Sequence, residues 1–238
     1  MPSVPRSAIL QDNCYFHVTL RFHNYDWALE PVWAKKLYYD LLCKYKDEYN
    51  VQINNYNLMD SHPHLKGKLG LLKDFSAFFR RVHSIFAKAY NKAKKRRGQV
   101  FLDRFVSQQL ERHDDMVNVA AYIDLNQVKA GMVKHPSQNK FSSYAYYAEG
   151  KEDPLVTPSP IYEGLGTTPK EKQKKYQELI ESFMDVWEAV KERLHEECKY
   201  FIGESSWVNE KKAGLSKIMK DKYQKWRKRF KERQKQSQ

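Results

Sequence analysis

Two histidines separated by one residue, His62 and His64, are the residues of this sequence best placed to do chemistry. In extended backbone, alternate side chains point to the same side, so both imidazoles can turn toward one point. Such a pair can hold a metal ion through two nitrogens. The same spacing also occurs in polar loops where the two residues share no role. The rest of the chain must decide between these interpretations.

A second pair, Tyr122 and Asn126, lies in a segment predicted to be helical. This helix is expected to start at a cap, Asp114 or Asp115, and to stop at Gly131. Residues four apart on a helix lie on one face, one turn from each other. The phenol and the amide are therefore expected side by side.

The elements that must position these residues alternate between strands and helices. The predicted order is a strand over 14–22, a helix over 31–46, a strand over 51–59, a strand from His64, a helix over 74–97 that Asp74 caps, and a strand over 100–106 with a possible partner at 107–111. This order is the split βαβ arrangement. The sequence therefore predicts an α+β, ferredoxin-like sandwich whose antiparallel sheet has two helices on one face and is open on the other.

The residues from His64 onward alternate between polar and apolar. His64, Lys66 and Lys68 share one side of the predicted strand, and leucines occupy the other. His17 lies on the polar side of the first strand. Pro63 cannot donate a ladder hydrogen bond, so it is expected where the strand begins or on a sheet edge.

The charge of the chain is strongly positive and unevenly distributed. The formal net charge is +13, which favours polyanionic partners, with nucleic acid as the first candidate and an anionic membrane surface as the second. The stretch from Lys211 to the end holds twelve Lys or Arg and two acids, and residues 78–97 hold eight basic residues and no acid. Two basic surfaces are therefore expected.

Composition excludes several other classes of protein. A mean hydropathy of -0.80 with 14% aromatic residues argues against both a membrane protein and a disordered one. The N-terminus lacks the apolar core of a signal peptide, so a cytoplasmic protein is expected. Cys14, Cys43 and Cys198 are scattered singly, which predicts reduced cysteines and no cysteine-based zinc site.

The second half of the chain is expected to form a separate extension. Prolines and glycines cluster between Asp153 and Thr168, which is typical of irregular chain. Apolar residues at helical spacing follow, and the last helix is predicted after a break near Gly203. We therefore predict a core over 1–150, a linker over 151–170 and a helical, basic, DNA-binding extension over 171–238.

An ordered series of motifs resembles the REP-associated tyrosine transposases, which are single-tyrosine HUH endonucleases. The series is His62-Pro63-His64 after a strand, then the segment from Tyr122 to Gly131, then Phe141-Ser-Ser-Tyr144. The resemblance extends from the strand at Tyr15 to about Gly166. Two positions depart from the usual pattern: Pro63 stands where a bulky apolar residue is common, and Gln127 replaces a common proline.

The resemblance implies an enzyme that cuts and rejoins single-stranded DNA beside a hairpin. It implies that His62, His64 and Asn126 hold one divalent ion, Mg²⁺ or Mn²⁺, and that Tyr122 is the nucleophile, which forms a 5′-phosphotyrosine intermediate. His17, from its position on the polar side of the first strand, could lie in the second shell of the metal or contact the substrate. Two imidazoles and an amide oxygen would leave positions open for phosphate, whereas a closed zinc site needs a fourth protein ligand.

Basic side chains are expected to contact the phosphates of the DNA. The predicted contacts are Arg21, Lys66, Lys68, Arg80, Arg81, Lys94, Lys95, Arg96, Arg97, Arg227, Lys228 and Arg229. On a helix, such residues can equally form an ordinary solvated face.

Two rival functions remain open at this level. The chain could be a non-catalytic protein that binds or regulates at DNA hairpins on the same fold, or a replication or conjugation nickase. It could act as a monomer or a homodimer, with Tyr122 serving the histidines of its own chain or those of a partner.

Overall fold

The structure, a computed structural model, describes residues 4–102, 104–111, 115–192, 194 and 200–236. Asp114 and Cys198, both named in the sequence predictions, lie outside the described residues. Cys14 is buried and Cys43 is partly buried, and both are free thiols.

Within the described residues, five strands form one sheet. The strands are β1 (Tyr15–Thr19), β2 (Val51–Leu58), β3 (Pro63–Leu69), β4 (Val106–Leu110) and β5 (Phe201–Ile202). Their order is β2-β3-β1-β4-β5. Strand β1 pairs antiparallel with β3 and β4, β2 pairs antiparallel with β3, and the short β5 is parallel to β4. The first four strands therefore have the order expected of a ferredoxin-like sheet, and the predicted α+β fold class is confirmed.

Helices α1 (Val32–Lys46) and α2 (Leu72–Ala93) lie on the first face of the sheet. Phe16 and Val18 of β1 and Leu65 of β3 are fully buried there, and the Phe16 ring lies 4.6 Å from that of Phe75 on α2. The buried residues of α2 are Phe75, Phe78, Phe79, Val82, Phe86 and Tyr90. The alternation of β1 and the helical spacing of α2 thus predicted the main core correctly.

Both ends of α2 differ from the prediction. The helix begins at Leu72, whose backbone N–H donates to Asp12 Oδ1 at 2.7 Å, so Asp74 lies inside the first turn and is not the cap. The helix ends at Ala93, and Lys95 has a left-handed φ of +50°. The basic run after Ala93 therefore lies outside the helix, because a left-handed residue breaks the helical hydrogen-bond ladder.

The strand predicted over 100–106 is wrong, because β4 lies further along the chain. Val100 is 2% exposed, and Phe101 forms an isolated bridge with Phe22 and packs on its ring at 5.3 Å. The apolar residues of this stretch therefore anchor a loop to the core. Strand β4 instead confirms the possible strand predicted at 107–111, and its Gln108 faces a buried polar site described below.

Helix α3 (Asp115–Lys129) lies on the second face of the sheet. It packs on β2 and β3, and the side-chain nitrogen of Asn57 on β2 donates to the Ile123 carbonyl oxygen at 2.8 Å. His17 and His64 on this face are 2% and 1% exposed. Helix α3 therefore covers, at these residues, the face that was predicted to be open. The polar side chains tolerate this burial because they form hydrogen bonds with one another.

The second half of the chain consists mainly of helices. These are α4 (Tyr144–Glu149), α5 (Pro160–Gly164), α6 (Pro169–Ser182), α7 (Trp187–Glu192) and α8 (Ser205–Gln236). Leu155, Tyr176 and Trp187 belong to the same hydrophobic cluster as β1. The core is thus continuous with the first half of the chain, and the domain boundaries near 150 and 170 stay a prediction.

Helix α8 confirms the predicted last helix. Its first turns contact β5 and the short 3₁₀ helix Arg6–Ala8, whereas Tyr223 and Trp226 further along are 44% and 39% exposed. No helix in the described part of the chain is long and apolar enough to cross a membrane.

Gly67 in the middle of β3 is predicted to tolerate no side chain. A Cβ built there would lie 1.8 Å from the backbone oxygen of Gln52 on β2. We expect Gly67→Ala to lower the free energy of unfolding by about 3 kcal/mol, because the backbone of a paired strand must shift to admit the methyl group. Urea denaturation followed by circular dichroism measures the change.

The matched control is Gly214→Ala on α8, where a Cβ would meet no atom within 4 Å. This variant is expected to gain roughly 0.5–1 kcal/mol, because alanine is the better helix former. Equal stability of the two variants would contradict the crowding at Gly67.

Candidate active site

His62 lies immediately before β3 and His64 is the second residue of that strand, so the two lie side by side as predicted. Their ring centroids are 5.0 Å apart, with an angle of 74° between the ring planes. Pro63 is the first residue of the strand, and its carbonyl oxygen accepts the backbone N–H of Leu20 at 3.3 Å. The missing N–H of Pro63 therefore falls at the end of the ladder, where the structure tolerates it.

Tyr122 and Asn126 approach the histidine pair from α3. The Tyr122 ring lies 5.6 Å from the His64 ring and almost perpendicular to it, at 86°. Tyr122 and Asn126 are 3% and 6% exposed. Packing of α3 on the sheet thus brings together residues that are about 60 positions apart in sequence.

A cavity of about 610 Å³ opens at this cluster. His62, His64, Tyr122 and Asn126 all line it. The wall also includes basic and aromatic side chains, namely Arg21, Lys129, Lys191, Trp27 and Trp187. With three cations on its wall against the single carboxylate of Glu188, the cavity suits an anionic substrate such as a phosphodiester.

Hydrogen bonds fix the orientation of both imidazoles. Ser61 Oγ lies 2.8 Å from His62 Nδ1. His64 Nδ1 lies 3.2 Å from Thr19 Oγ1 and 3.1 Å from His17 Nε2. The Nδ1 atom of each ring is thus engaged by the protein, which assigns Nε2 as the nitrogen that would bind a metal.

The phenol of Tyr122 is held in its neutral form. Burial raises the pKa of Tyr122 to about 12, and the nearby Asn126 amide acts in the opposite direction. The ring of Trp187 on α7 stacks on Tyr122 at 5.7 Å and 16°. A nucleophilic role would therefore need a nearby positive charge to favour the phenolate.

The donor set fits an oxygen-seeking divalent ion. Two imidazoles and an amide gather at one cavity, and the buried Asn126 Nδ2 atom has no hydrogen-bond partner. Because the oxygen and nitrogen of an amide are interchangeable by a flip, this position can equally present Oδ1. Across the described ranges, no three His, Cys, Asp or Glu side chains form a metal-binding group, so a ligand set here depends on the amide.

Lys66 does not reach the surface, which contradicts its predicted contact with DNA. It is 1% exposed, and its Nζ donates to Asn55 Oδ1 at 3.0 Å. Burial lowers the pKa of Lys66 to about 7 and raises that of Asp124 on α3 to about 7. Helix α3 covers this part of the sheet, so Lys66 belongs to a buried polar network beneath the site.

Tyr176 on α6 connects this network. Its hydroxyl donates to Asp124 Oδ2 at 2.7 Å and accepts from Asn55 Nδ2 at 3.2 Å. We expect Tyr176→Phe to lower the free energy of unfolding by about 1–3 kcal/mol, because both partners lose a buried hydrogen bond. Chemical denaturation tests this against Tyr223→Phe on the exposed part of α8, which should change stability by less than about 0.5 kcal/mol. Equal losses in the two variants would contradict the network.

Seven of the other predicted basic residues lie at the cavity, on α2 or just after that helix. Arg21 lines the cavity. Arg80 and Arg81 are exposed on α2, on the far side of the sheet from the cavity, and Lys94, Lys95 and Arg97 are exposed just after that helix. Arg96 is engaged by Asp26, with Nη1 2.7 Å from Oδ2.

The remaining predicted basic residues are Lys68, Arg227, Lys228 and Arg229. Lys68 on β3 is partly buried, with its Nζ 5.8 Å from the Tyr15 ring centre. Arg227, Lys228 and Arg229 are exposed on α8. The tail residues thus form a surface of their own, away from the packed start of α8.

Sequence reasoning singled out none of four residues on the cavity wall, Trp27, Lys129, Trp187 and Lys191. Lys129 Nζ lies 6.0 Å from the centre of the Trp187 ring, and Lys191 Nζ lies 5.0 Å from it. Lys129 lies within the motif from Tyr122 to Gly131, but no local pattern marks Trp187 or Lys191, because their place at the cavity comes from the packing of α7 on α3.

Comparison with known proteins supports the fold. No protein-family model matches the sequence, and no curated protein matches it either. A solved structure of a REP-associated tyrosine transposase bound to a REP hairpin is similar, with a TM-score of 0.51 and 21% sequence identity. The match covers 67% of this chain and 93% of that one. The chain thus has the mixed α+β fold of that transposase.

Proposed function

We propose that this chain is a metal-dependent strand transferase of the single-tyrosine HUH type, which cleaves and rejoins single-stranded DNA next to a hairpin. The observation that carries the proposal is the convergence of His62, His64, Tyr122 and Asn126 on one cavity. The shared fold with a hairpin-bound tyrosine transposase supports it.

The reaction is a transesterification at phosphorus. The Tyr122 oxygen attacks the scissile phosphate, a new bond forms between that oxygen and phosphorus, and the bond from phosphorus to the 3′ oxygen breaks. The phenolic proton is lost, and the 3′ oxygen gains one to leave as a hydroxyl. The products are a 5′-phosphotyrosine and a free 3′-OH, so the reverse attack rejoins strands without ATP.

Each residue of the cluster has a distinct part in this scheme. His62, His64 and the Asn126 amide would hold Mg²⁺ or Mn²⁺, which when bound supplies Lewis-acid stabilisation of the phosphate charge. Asn126 lies one turn from Tyr122 and offers its hydroxyl a polar neighbour. Arg21 and Lys129 on the cavity wall would attract the DNA backbone.

The basic end of α8 would bind the duplex stem of the hairpin. Its cations are exposed and lie apart from the cavity, whereas the cavity would take the single strand. The proposal holds for a monomer and for a homodimer in which Tyr122 serves the partner subunit.

The test is a search for a covalent adduct. The full chain is incubated with labelled single-stranded oligonucleotides that carry a hairpin, in Mg²⁺ or Mn²⁺ and in chelator. We expect a protein–DNA band that persists under denaturing electrophoresis and requires the metal. A chain that binds these hairpins yet yields no adduct in either metal would overturn the proposed chemistry.

One observation favours a second candidate, a non-catalytic hairpin-binding protein. Tyr122 is 3% exposed beneath Trp187, an arrangement that also suits a tyrosine kept only for packing. The same experiment separates the two functions, because this candidate binds the hairpin without forming an adduct.

A further inference from the structure

A chain of buried hydrogen bonds runs from a backbone carbonyl to His64. Gln108 Nε2 donates to the Leu194 carbonyl oxygen at 3.0 Å. Gln108 Oε1 lies 2.7 Å from His17 Nδ1, and His17 Nε2 lies 3.1 Å from His64 Nδ1. The exposed fractions of Gln108, His17 and His64 are only 8%, 2% and 1%.

The carbonyl at the end of this chain fixes the orientation of the Gln108 amide, and with a neutral His17 it also fixes the protons on the two imidazoles. A carbonyl oxygen can only accept, so the Gln108 amide nitrogen must face Leu194 and the amide oxygen must face His17. His17 Nδ1 therefore carries a proton and donates it. A neutral imidazole carries one N–H, so His17 Nε2 is an acceptor, and His64 must donate to it through Nδ1–H.

His64 is thereby left with its lone pair on Nε2. Thr19 Oγ1, at 3.2 Å from the same Nδ1, is placed as a second acceptor for that proton. The opposite tautomer would put a proton on Nε2, where a metal ligand needs a lone pair. The direction of the whole chain thus favours the form of His64 that can coordinate.

We propose that Gln108 and His17 are positioning residues that hold His64 as its Nδ1–H tautomer and so present Nε2 to a divalent ion. The identity of the ion rests on the proposed function, whereas the tautomer follows from the hydrogen bonds and a neutral His17. Partners of this kind orient metal-binding histidines and raise their basicity.

Strand pairing in the sheet places the three side chains next to one another. His17 on β1 stands directly opposite Gln108 on β4, and β1 also pairs with β3, which carries His64. Three neighbouring strands thus contribute one side chain each. The Leu194 carbonyl, from the segment after α7, is the last acceptor in this series of hydrogen bonds. It thereby links the C-terminal half of the protein to the histidine pair.

The tautomer is measured first, on the metal-free full chain, by long-range proton–nitrogen NMR of ¹⁵N-labelled imidazoles. We expect His17 and His64 each to show a protonated Nδ1 and an unprotonated Nε2. A protonated Nε2 on His64 would overturn the proposal.

Two substitutions on β4 then test whether Gln108 fixes the tautomer of His64. Gln108→Met keeps the side-chain length and removes the acceptor, so His64 should lose its fixed tautomer and Mn²⁺ affinity, followed by electron paramagnetic resonance, should fall about 10- to 100-fold. Gln109→Met changes the next residue of β4, which stands opposite Phe16 on the other face of the sheet, so it leaves this hydrogen-bond chain intact and should retain the tautomer and most of the affinity. Circular dichroism confirms that each variant folds.

The outcomes separate this inference from the proposed function. A Gln108→Met variant with the tautomer and Mn²⁺ affinity of the wild type would overturn the positioning role. A wild-type chain that shows the fixed tautomer but binds no Mn²⁺ would instead overturn the metal-dependent part of the proposed function and leave the hydrogen-bond assignment standing.

Discussion

Replacing Tyr122 with phenylalanine is expected to remove the denaturant-stable DNA adduct. Removing a covalent nucleophile typically costs at least about 10³-fold in rate, so the band should fall below detection in a time course. Hairpin binding should persist, because the ring contacts of Tyr122 with His64 and Trp187 do not need the hydroxyl. Denaturing electrophoresis and a binding titration measure the two effects separately.

The matched control is Tyr144→Phe. Tyr144 is also buried, at 2% exposure, but its ring packs against His135 and Tyr176 away from the cavity. This variant should form the adduct at the rate of the wild type. An adduct of normal yield in Tyr122→Phe would show that another residue is the nucleophile.

Neutralising the exposed end of α8 is expected to change how binding depends on salt. With Arg227, Lys228 and Arg229 all replaced by Gln, the slope of log K against log salt should become flatter by about 3, because each phosphate that a cation no longer neutralises removes close to one unit of slope. Affinity at low salt should fall for all hairpin sequences alike, because phosphate contacts carry no base information. Fluorescence anisotropy at several salt concentrations measures the slope.

The control for this variant removes as much charge from a surface of the same kind. Lys170, Lys174 and Lys175 lie on α6, where Lys174 and Lys175 form ion pairs with glutamates. Replacing these three by Gln should leave the salt slope within about 0.5 of the wild type. Equal slopes in both triple variants would contradict a specific role for α8.

Periodicity alone predicted most of the sheet and its first layer of helices. The alternation around Phe16 and the helical spacing from Phe75 to Phe86 report which side of each element faces the interior, and both were confirmed. The predicted strand over 100–106 failed because Val100 and Phe101 are buried in a loop. An apolar pattern records burial and does not record hydrogen-bond pairing.

The sequence by itself determined that His62 and His64 turn to one side of β3, and that Tyr122 and Asn126 share a face of α3. These relations follow from the local geometry of strands and helices. They hold wherever the first segment is extended and the second is helical.

Only the tertiary structure decided what surrounds these residues. Burial of Lys66, the stacking of Trp187 on Tyr122 and the hydrogen bond between Gln108 and His17 all join segments far apart in sequence. No local rule specifies such pairings, because they depend on which helix covers which face of the sheet. Strand β4 gives the clearest case, since Gln108 is a polar residue that is buried and forms a hydrogen bond with His17.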